Sequence, residues 1–420
     1  MNQQIFIKRR EEFIKQMKEN SFAIFYSGEA PHKTQDQTYQ YTPNRNFYYL
    51  TGQTRPNFIL LLAKSDKRQF VFMFIEEPSD FATKWLGKRL SKEEVSIISG
   101  VEVNSIRFTS DFSEFVSSVI LSNSRRAVIP MPKAMYLDLY RYKPYTVPVS
   151  LEKTKFIIDS YPEVKVKSAN EMLDALRKVK DDDEILEIRK AISYAKKGIE
   201  SILKIAKSGV NEHEIEAYYE YQVKMAGSEG ISFSSIVAGG KNATVLHYEE
   251  NNCKIEDGSL VLCDLGALSG LYAADISRTF PVNGKFTARQ KQFYEIVLDA
   301  NKKTMAYVKP GLMFSDLNNY AKTILAEGLK KIGLIQNDSE LEKYYYHNVT
   351  HFLGIDVHDV GTYQEPLKAG IVLTIEPGLY IEEEGIGIRI EDNVLVTDSG
   401  YINLSKDIIK EIDDIEKFMR

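Results

Sequence analysis

The first 165 residues or so alternate short apolar runs with turn segments. Strands are predicted at Phe22–Gly28, Phe58–Ala63, Gln69–Phe74 and Arg126–Pro130. The polar segment Lys64–Lys67 separates the middle two runs, so this pair is expected to form a hairpin. Helical patterns near Lys92–Gly100 and Asp111–Leu121 fall between the strands. These elements predict an N-terminal α/β domain over residues 1–165.

A different pattern begins at residue 170. Apolar residues recur at helical spacing from Ile185 to Ala206, which predicts a long amphipathic helix. Gly209 is expected to end this helix, and Asn211 to cap the next one. A similar arrangement returns after a helix predicted at Ala288–Val308, where Gly311 aligns with Gly209. Residues 170–420 are therefore expected to form a second domain made of two related halves.

One apolar hairpin carries two acidic residues where its pattern calls for apolar ones. The stretch Leu260–Phe280 predicts two strands joined by a tight turn, and it includes Asp264 and Asp275. If the turn is centred between Ser269 and Gly270, the two aspartates lie directly opposite each other, where like charges repel. Two interpretations follow: the hairpin flares and both carboxylates point into water, or a cation lies between them.

A second hairpin repeats this arrangement with glutamates. The stretch Thr374–Asp392 is expected to turn at Glu382–Gly385, and Glu376 and Glu391 are equidistant from the middle of that turn. Alternation along the return strand places Arg389 on the same face as Glu391. Two hairpins with mirrored carboxylates favour a shared cation site over a pair of exposed charged strands.

Histidines cluster between these hairpins. The chain has six histidines, and His347, His351 and His358 fall within one short segment. His347 and His351 are four residues apart, so they share a face if the segment is helical. His247 follows a Gly-Gly loop and indicates nothing by itself.

The ligand types limit the identity of the cation. Four carboxylates and one neutral imidazole balance the charge of two divalent ions. Oxygen-rich ligation with one nitrogen suits Mn²⁺, Fe²⁺, Co²⁺ or Zn²⁺ better than Ca²⁺. Two divalent metal ions are therefore predicted, with Mn²⁺ as the first choice and Co²⁺, Fe²⁺ and Zn²⁺ as alternatives.

Composition and charge exclude several classes of protein. The net charge of −5 without a basic block argues against nucleic acid as the main partner. No apolar run approaches the roughly 18 residues that a membrane span needs, and the N-terminus lacks the apolar core of a signal peptide. The two cysteines, Cys253 and Cys263, cannot build a disulfide framework. A cytoplasmic location is therefore expected.

The acidic and imidazole side chains stand in five motifs: VLCDLG with Asp264, AADISRTFPVNGKF with Asp275, HNVTHFLGIDVHD with His351, IEPGLY with Glu376 and GIRIEDN with Glu391. In order and spacing these motifs resemble the creatinase/aminopeptidase P/methionine aminopeptidase family of "pita-bread" metallopeptidases. The resemblance covers roughly residues 170–400 and is strongest to the aminopeptidase P subgroup. The stretch NFYYLTG (Asn46–Gly52) also resembles the N-terminal domain of that subgroup. The resemblance implies an α+β chain: an N-terminal α/β creatinase-like domain followed by a pseudo-symmetric pita-bread domain.

The resemblance also implies a role for each residue. Asp275 and Glu391 would bridge the two metal ions, Asp264 would complete one site, and His351 and Glu376 the other. Glu376 would also exchange a proton during catalysis. His247 and His358 would contact the substrate and the oxyanion. Arg389 would orient the carboxylate of Glu391, and His347 would orient the ligands in the same way.

The implied activity is hydrolysis of the bond between an N-terminal residue and a penultimate proline, with a metal-bridging hydroxide as nucleophile. A prolidase, which takes only dipeptides, is the nearest alternative, and a metal-free binding module is a distant one. The implied partners are peptides with proline in position two and further copies of this chain, as a dimer or tetramer. In related enzymes the region of Trp85 lines the substrate site of a neighbouring subunit, although an ordinary packing contact would also explain this residue.

Overall fold

The computed structural model describes residues 1–66, 68–121, 128–129, 132–140 and 145–420. The chain divides into two compact units, Met1–Arg177 and Lys178–Arg420. Both units combine helices with strands, so the predicted α+β class is confirmed. Among the described helices, none combines the length and the apolar character that crossing a membrane requires.

The N-terminal unit is built on a mixed six-stranded sheet. The strands of the unit are β1 (Ser21–Tyr26), β2 (His32–Thr34), β3 (Gln37–Thr38), β4 (Ile59–Ser65), β5 (Arg68–Ile75), β6 (Ile106–Phe108), β7 (Ala134–Leu137) and β8 (Lys165–Ser168). Its helices are α1 (Gln3–Gln16), α2 (Arg45–Thr51), α3 (Asp80–Leu86), α4 (Lys92–Ser99), α5 (Phe112–Phe115), α6 (Val149–Lys153), α7 (Lys155–Ser160) and α8 (Asn170–Lys178). The sheet order is β6-β5-β4-β1-β7-β8, with β1, β4 and β5 antiparallel and β6, β7 and β8 joined in parallel.

Most of the elements predicted for this unit are present. Three of the predicted strands are β1, β4 and β5, and the expected hairpin is the antiparallel pair β4–β5. The predicted helices correspond to α4 and to α5, which continues as a π-helical turn at Val116–Ile120. The strand predicted at Arg126–Pro130 lies largely outside the described residues, and Val128 and Ile129, which are described, form a bend. The short strand β7 was not predicted because it offers only four residues of pattern.

The C-terminal unit contains two three-stranded sheets and five helices among its described residues. The helices are α9 (Asp182–Ile205), α10 (Glu212–Met225), α11 (Ala288–Tyr307), α12 (Phe314–Lys331) and α13 (Ile412–Phe418). The strands are β9 (Ile236–Gly239), β10 (Leu260–Leu265), β11 (Leu268–Ser269), β12 (Tyr272–Ala273), β13 (Ile276–Pro281), β14 (Val372–Ile375), β15 (Gly378–Ile381), β16 (Ile386–Arg389), β17 (Asp392–Val396) and β18 (Tyr401–Asn403). The sheets have the orders β13-β10-β9 and β14-β17-β18.

The two halves of this unit repeat the same turn after their first helix. Gly209 follows α9 with a φ of +85°, and Gly311 follows α11 with a φ of +89°. The amide of Gly209 donates to the carbonyl of Ile255 over 2.8 Å, and the amide of Gly311 donates to that of Leu367 over 2.9 Å. The predicted pseudo-symmetric arrangement is therefore visible in hydrogen bonds as well as in element order. Asn211 caps α10, as predicted.

The first acidic hairpin has a different register from the predicted one. Its turn is centred between Gly270 and Leu271, which both have positive φ, as a type I′ turn requires. Asp264 is therefore paired with Ser277, and the prediction that it lies opposite Asp275 is wrong. Because the shift is two residues, both aspartates still project from the same face, as diagonal neighbours.

The second acidic hairpin has the predicted register. Two residue pairs are centred on the same point, the middle of the Glu382–Gly385 turn. They are Gly378 with Arg389 in β15–β16 and Ile375 with Asp392 in β14–β17. Glu376 and Glu391 lie in the short gap between these two antiparallel strand pairs.

Candidate metal centre

All nine side chains selected from the sequence line one cavity of about 330 Å³ in the C-terminal unit. They are Asp264, Asp275, His351, Glu376, Glu391, His247, His347, His358 and Arg389. The cavity also includes four residues that the sequence did not indicate: Leu246, Asn348, Thr350 and Tyr363.

Hydrogen bonds join the two acidic hairpins at this cavity. The amide of Glu391 donates to the carbonyl of Ser277 over 3.1 Å. The hydroxyl of Thr279 donates to the carbonyl of Arg389 over 3.1 Å and accepts from the amide of Arg389 over 3.2 Å. Hydrogen bonds from the backbone and the Thr279 side chain of β13 to the second hairpin therefore bring acidic residues from both halves of the unit together.

Three of these residues form a compact group of possible metal-binding atoms. One ligand atom from each of Asp275, His351 and Glu391 lies within 4.8 Å of the other two. His351 Nε2 is 3.3 Å from Asp275 Oδ2 and 3.6 Å from Glu376 Oε1, so a fourth residue borders the group. These three carboxylates converge on one ring nitrogen.

The acidic residues of the group are strongly affected by burial. Burial raises the pKa of Asp275, and together with the nearby charge of Asp275 it raises the pKa of Glu391 well above its usual range. Burial also raises the pKa of Glu376 to about 7. Anionic carboxylates are therefore unfavourable here unless a positive charge compensates them.

One carboxylate oxygen in the group has no partner. Glu391 is 1% exposed, and its Oε1 atom forms no hydrogen bond to any described residue. Buried carboxylate oxygens are normally hydrogen-bonded or bound to a cation. This free oxygen and the oxygen-rich set around one imidazole fit a divalent metal ion.

The raised pKa of His351 and the direction of its Nε2 atom suit this ring to lose a proton when a cation binds. Burial alone lowers the pKa of His351, but the hydrogen bond to Asp275 and the charge of Glu376 outweigh it and bring the pKa to about 9. The Nδ1 atom lies 2.9 Å from the carbonyl of Phe352, which leaves Nε2 directed at the carboxylates. A cation that binds Nε2 replaces this proton.

Arg389 contacts a different carboxylate from the predicted one. Its Nη2 atom lies 2.6 Å from Asp264 Oδ2, and its Nε atom donates to Ser277 Oγ over 2.8 Å. Ser277 Oγ in turn lies 2.8 Å from Glu391 Oε2. The arginine fork therefore extends across to the neighbouring strand β10 and reaches Glu391 through Ser277, and the orienting role of Arg389 stays a prediction.

His347 is part of the same network, although its segment is not helical. His347 lies in a bend and His351 in an irregular stretch, so the proposed helical face does not exist. Nε2 of His347 is nevertheless 2.9 Å from the hydroxyl of Tyr380, and Nδ1 is 4.0 Å from Glu376 Oε2. Burial, followed by the charge of Arg389, lowers the pKa of His347 to about 4, so this ring is neutral at pH 7.

His247 and His358 form the more open side of the cavity. The rings of His351 and His358 have centroids 4.2 Å apart. Burial, followed by the charge of His351, lowers the pKa of His358 to about 4. Neutral imidazole carries one N–H donor, so His358 can donate a hydrogen bond to a group in the cavity at neutral pH.

Sequence reasoning missed Ser277 and Tyr380. Ser277 is two residues after Asp275, and alternation along a strand would have placed both on one face. The hydroxyl of Tyr380 accepts a hydrogen bond from Arg389 Nη1 over 3.1 Å and lies 2.9 Å from Nε2 of His347. The apolar pattern gave no sign of Tyr380, because both faces of β15 are buried.

Comparison with known proteins gives consistent matches over both units. Residues 187–398 match the model of metallopeptidase family M24, and residues 6–129 match the aminopeptidase P N-terminal domain. A curated Xaa-Pro aminopeptidase of Haemophilus influenzae is 32% identical, over 99% of this chain and 96% of its own. A solved Bacillus anthracis chain, provisionally named aminopeptidase P, is 46% identical with a TM-score of 0.96, covering 100% of this chain and 99% of its own. Aminopeptidase P from Escherichia coli, solved with the inhibitor Pro-Leu, is 30% identical with a TM-score of 0.90, over 100% and 98% of the two chains.

Proposed function

The chain belongs to metallopeptidase family M24, and from this membership we propose that it is a metal-dependent aminopeptidase that cleaves the bond between an N-terminal residue and a penultimate proline. The proposal is supported by relatives that carry the name Xaa-Pro aminopeptidase and match nearly the whole chain. A dipeptide-restricted prolidase is not favoured by these matches.

The observation that carries this proposal is the group of Asp275, His351 and Glu391, with the unpartnered Oε1 of Glu391. We assign two divalent metal ions to Asp264, Asp275, His351, Glu376 and Glu391, with Mn²⁺ as the first choice and Co²⁺, Fe²⁺ and Zn²⁺ as alternatives. When bound, such ions activate a water molecule and polarise the scissile carbonyl.

The side chains around the ligands have distinct roles in this proposal. Glu376 accepts a proton from the attacking water and returns it to the leaving nitrogen. His247 and His358 donate hydrogen bonds to the carbonyl oxygen as negative charge develops on it. Arg389, Ser277 and His347 hold the carboxylates in place through the contacts described above.

Proline in the second position defines a separate class of peptide bond. Its nitrogen has no N–H, so a peptidase that must grip that proton cannot use such substrates. A site that supplies its donors from His247 and His358 to the carbonyl side does not depend on that proton. The substrates proposed are therefore peptides with proline in position two.

We also propose how the chain divides into domains and how its copies associate. We assign catalysis to residues 170–420 and an accessory role to residues 1–165, in a cytoplasmic protein. We also propose a homo-oligomer, either a dimer or a tetramer. Phe81 and Trp85 support this, because they are 73% and 74% exposed and their ring centroids are 5.9 Å apart.

The test is hydrolysis of matched Xaa-Pro-Xaa, Xaa-Ala-Xaa and Xaa-Pro peptides by enzyme reconstituted with Mn²⁺. We expect cleavage of the Xaa-Pro-Xaa tripeptide only with metal present, and a fall in kcat of about 10²–10⁴-fold for Glu376→Gln. Glu383→Gln, in the exposed turn of the same hairpin, is the matched control and should retain wild-type rates. Equal cleavage of Xaa-Pro-Xaa and Xaa-Ala-Xaa, or activity that a chelator does not affect, would exclude the proposal. Cleavage of the dipeptide alone would indicate a prolidase, and the absence of stoichiometric metal a binding module.

A further inference from the structure

The imidazole ring of His358 is exposed, whereas the backbone that carries it is held in place. Its side chain is exposed to the cavity, and its ring forms no hydrogen bond to any described residue. Among the described residues, its only ring contact is with His351. The direction of this imidazole is therefore set largely by the backbone that carries it.

The next residue along the chain, Asp359, is tied into a buried ion pair. Asp359 Oδ2 lies 2.9 Å from Lys180 Nζ, and the two side chains are 1% and 0% exposed. Taking two charges out of water is costly, and a buried pair of this kind is weak evidence for added stability. A role in fixing local geometry is the better explanation for a pair placed directly beside a cavity residue.

Two glycines allow the segment that carries Lys180 to approach this loop closely. A Cβ atom on Gly354 would lie 2.1 Å from Asp359 Oδ2 and 3.0 Å from Lys180 Cε. Gly370 has a φ of +87°, and its carbonyl accepts a hydrogen bond from the amide of Lys180 over 2.9 Å. A Cβ on Gly370 would lie 2.7 Å from Val179 Cγ1. The chain thus has room for the lysine only because both neighbours lack side chains.

The backbone of Asp359 also closes a loop of the cavity wall. The amide of Asp359 donates to the carbonyl of Phe352 over 3.0 Å, which holds the two ends of the segment together. The carbonyl of Gly354, within that segment, accepts from the amide of Ala273 over 2.8 Å. Ala273 precedes Asp275 by two residues, so the anchored loop is joined to the first acidic hairpin.

We propose that the Lys180–Asp359 ion pair is a positioning pair that sets the direction of the His358 imidazole in the cavity. Lys180 fixes Asp359, Asp359 fixes the backbone of its neighbour, and the otherwise unbonded ring then points at the reacting carbonyl. Lys180 and Asp359 do not touch the substrate themselves. This inference rests on the proposed function for its kinetic consequence, because His358 is there a donor to the oxyanion.

The experiment uses the full-length protein with both charges removed at once, as Lys180→Met/Asp359→Asn. It is reconstituted with Mn²⁺ for kinetics and with diamagnetic Zn²⁺ for NMR, because paramagnetic Mn²⁺ broadens the signals of nearby rings beyond detection. Removing both partners avoids the uncompensated buried charge that either single substitution would leave. Three properties are measured: the melting temperature, kcat and KM for an Xaa-Pro-Xaa peptide, and the NMR signal of the His358 ring. The chain has six histidines, so labelling histidine Cε1 with ¹³C gives a small set of signals, and His358→Gln identifies the relevant one.

The expected result is a fall in kcat of about 10- to 100-fold with KM little changed, and a shifted or broadened His358 signal. Lys178→Met is the matched control, since it removes the Lys178–Glu365 pair of the same segment, whose glutamate side chain is 45% exposed. The control should keep wild-type kcat and an unchanged His358 signal. Wild-type kcat and an unchanged signal in the double variant would overturn the inference, whatever its melting temperature.

A second variant covers the case in which the double variant does not fold. Lys180→Arg keeps the positive charge, but the larger guanidinium cannot take the place of the ammonium beside Gly354 without moving Asp359. It should fold, lower kcat with KM little changed, and shift the His358 signal, whereas a wild-type kcat and signal would overturn the inference. If the wild-type enzyme cleaves no Xaa-Pro-Xaa peptide, the proposed function fails, and the NMR signal alone then decides whether the pair positions His358.

Discussion

At the scale of single residues, one serine hydroxyl connects the two acidic hairpins. Ser277 Oγ lies 2.9 Å from Asp264 Oδ1 and 2.8 Å from Glu391 Oε2, and it accepts from Arg389 Nε over 2.8 Å. A hydroxyl has one proton, so it can donate to only one of the two carboxylates at a time. Ser277 therefore contacts a carboxylate from each hairpin, while the remaining negative charge calls for a cation.

The substitution Ser277→Ala should weaken metal binding without unfolding the protein. Loss of the hydroxyl frees both carboxylates to rotate, and comparable changes next to metal ligands cost about 10- to 100-fold in metal affinity or activity. Titration of the metal-free protein with Mn²⁺, followed by calorimetry, measures this directly. Thr304→Val is the control, since it removes a buried hydroxyl of the same unit that forms no hydrogen bond within the described part of the chain. An unchanged Mn²⁺ affinity in Ser277→Ala would rule out this role for the serine.

At the scale of secondary-structure elements, a turn with positive φ follows the first helix in each half of the C-terminal unit. Gly209 and Gly311 both have positive φ, and a Cβ atom at either position would meet no non-neighbouring atom of the described residues within 4 Å. The requirement for glycine at these positions is therefore conformational and not steric. The turn matters because it directs the chain from the first helix of each half into the segment that pairs with Ile255 or Leu367.

Replacing Gly311 by alanine should destabilise the protein by about 1–2 kcal/mol, the cost of a left-handed conformation for a residue with a side chain. Urea unfolding of the full chain measures the change in the free energy of unfolding. Gly400→Ala is a matched control, because Gly400 also has open space around its Cα but lacks the positive φ. We expect Gly400→Ala to change stability by no more than about 0.5 kcal/mol. Equal effects at the two glycines would show that φ is not the cause.

At the scale of the whole molecule, each unit presents a different kind of surface. The C-terminal unit gathers acidic and imidazole side chains from several of its elements into one cavity. The N-terminal unit leaves Phe81 and Trp85 largely in water, next to each other on α3. Large aromatic side chains rarely stay this exposed without a partner, and paired aromatics are typical of protein interfaces.

Light scattering on the purified protein tests the proposed oligomer. We expect a mass of two or four chains, and a shift towards a single chain when Phe81 and Trp85 are both replaced by serine, because the change removes the apolar contact area. Tyr39→Ser is the control, since Tyr39 is an aromatic residue of the same unit that is 57% exposed. A wild-type mass of one chain, or a variant that associates as the wild type does, would contradict the proposal.

Much of this molecule could be predicted from local pattern. Helical periodicity predicted α9 and α11, and capping chemistry predicted the start of α10 at Asn211, because these features depend on residues close in sequence. The turn of the second acidic hairpin was also correct, since its centre lies within a run of polar residues. The misplaced carboxylates themselves indicated a cation site, because unpaired acids are costly in apolar strands.

Other features depended on the tertiary structure. The first hairpin turns at Gly270–Leu271, where Leu271 adopts a positive φ that its sequence does not suggest. The Arg389–Asp264 contact and the Lys180–Asp359 pair join residues 125 and 179 positions apart, so no local pattern encodes them. The sequence by itself determined which residue types are available and which face of each strand they occupy. Only the folded chain decided which acids lie together in one cavity and which ion pair lies beside His358, because those depend on packing between distant segments.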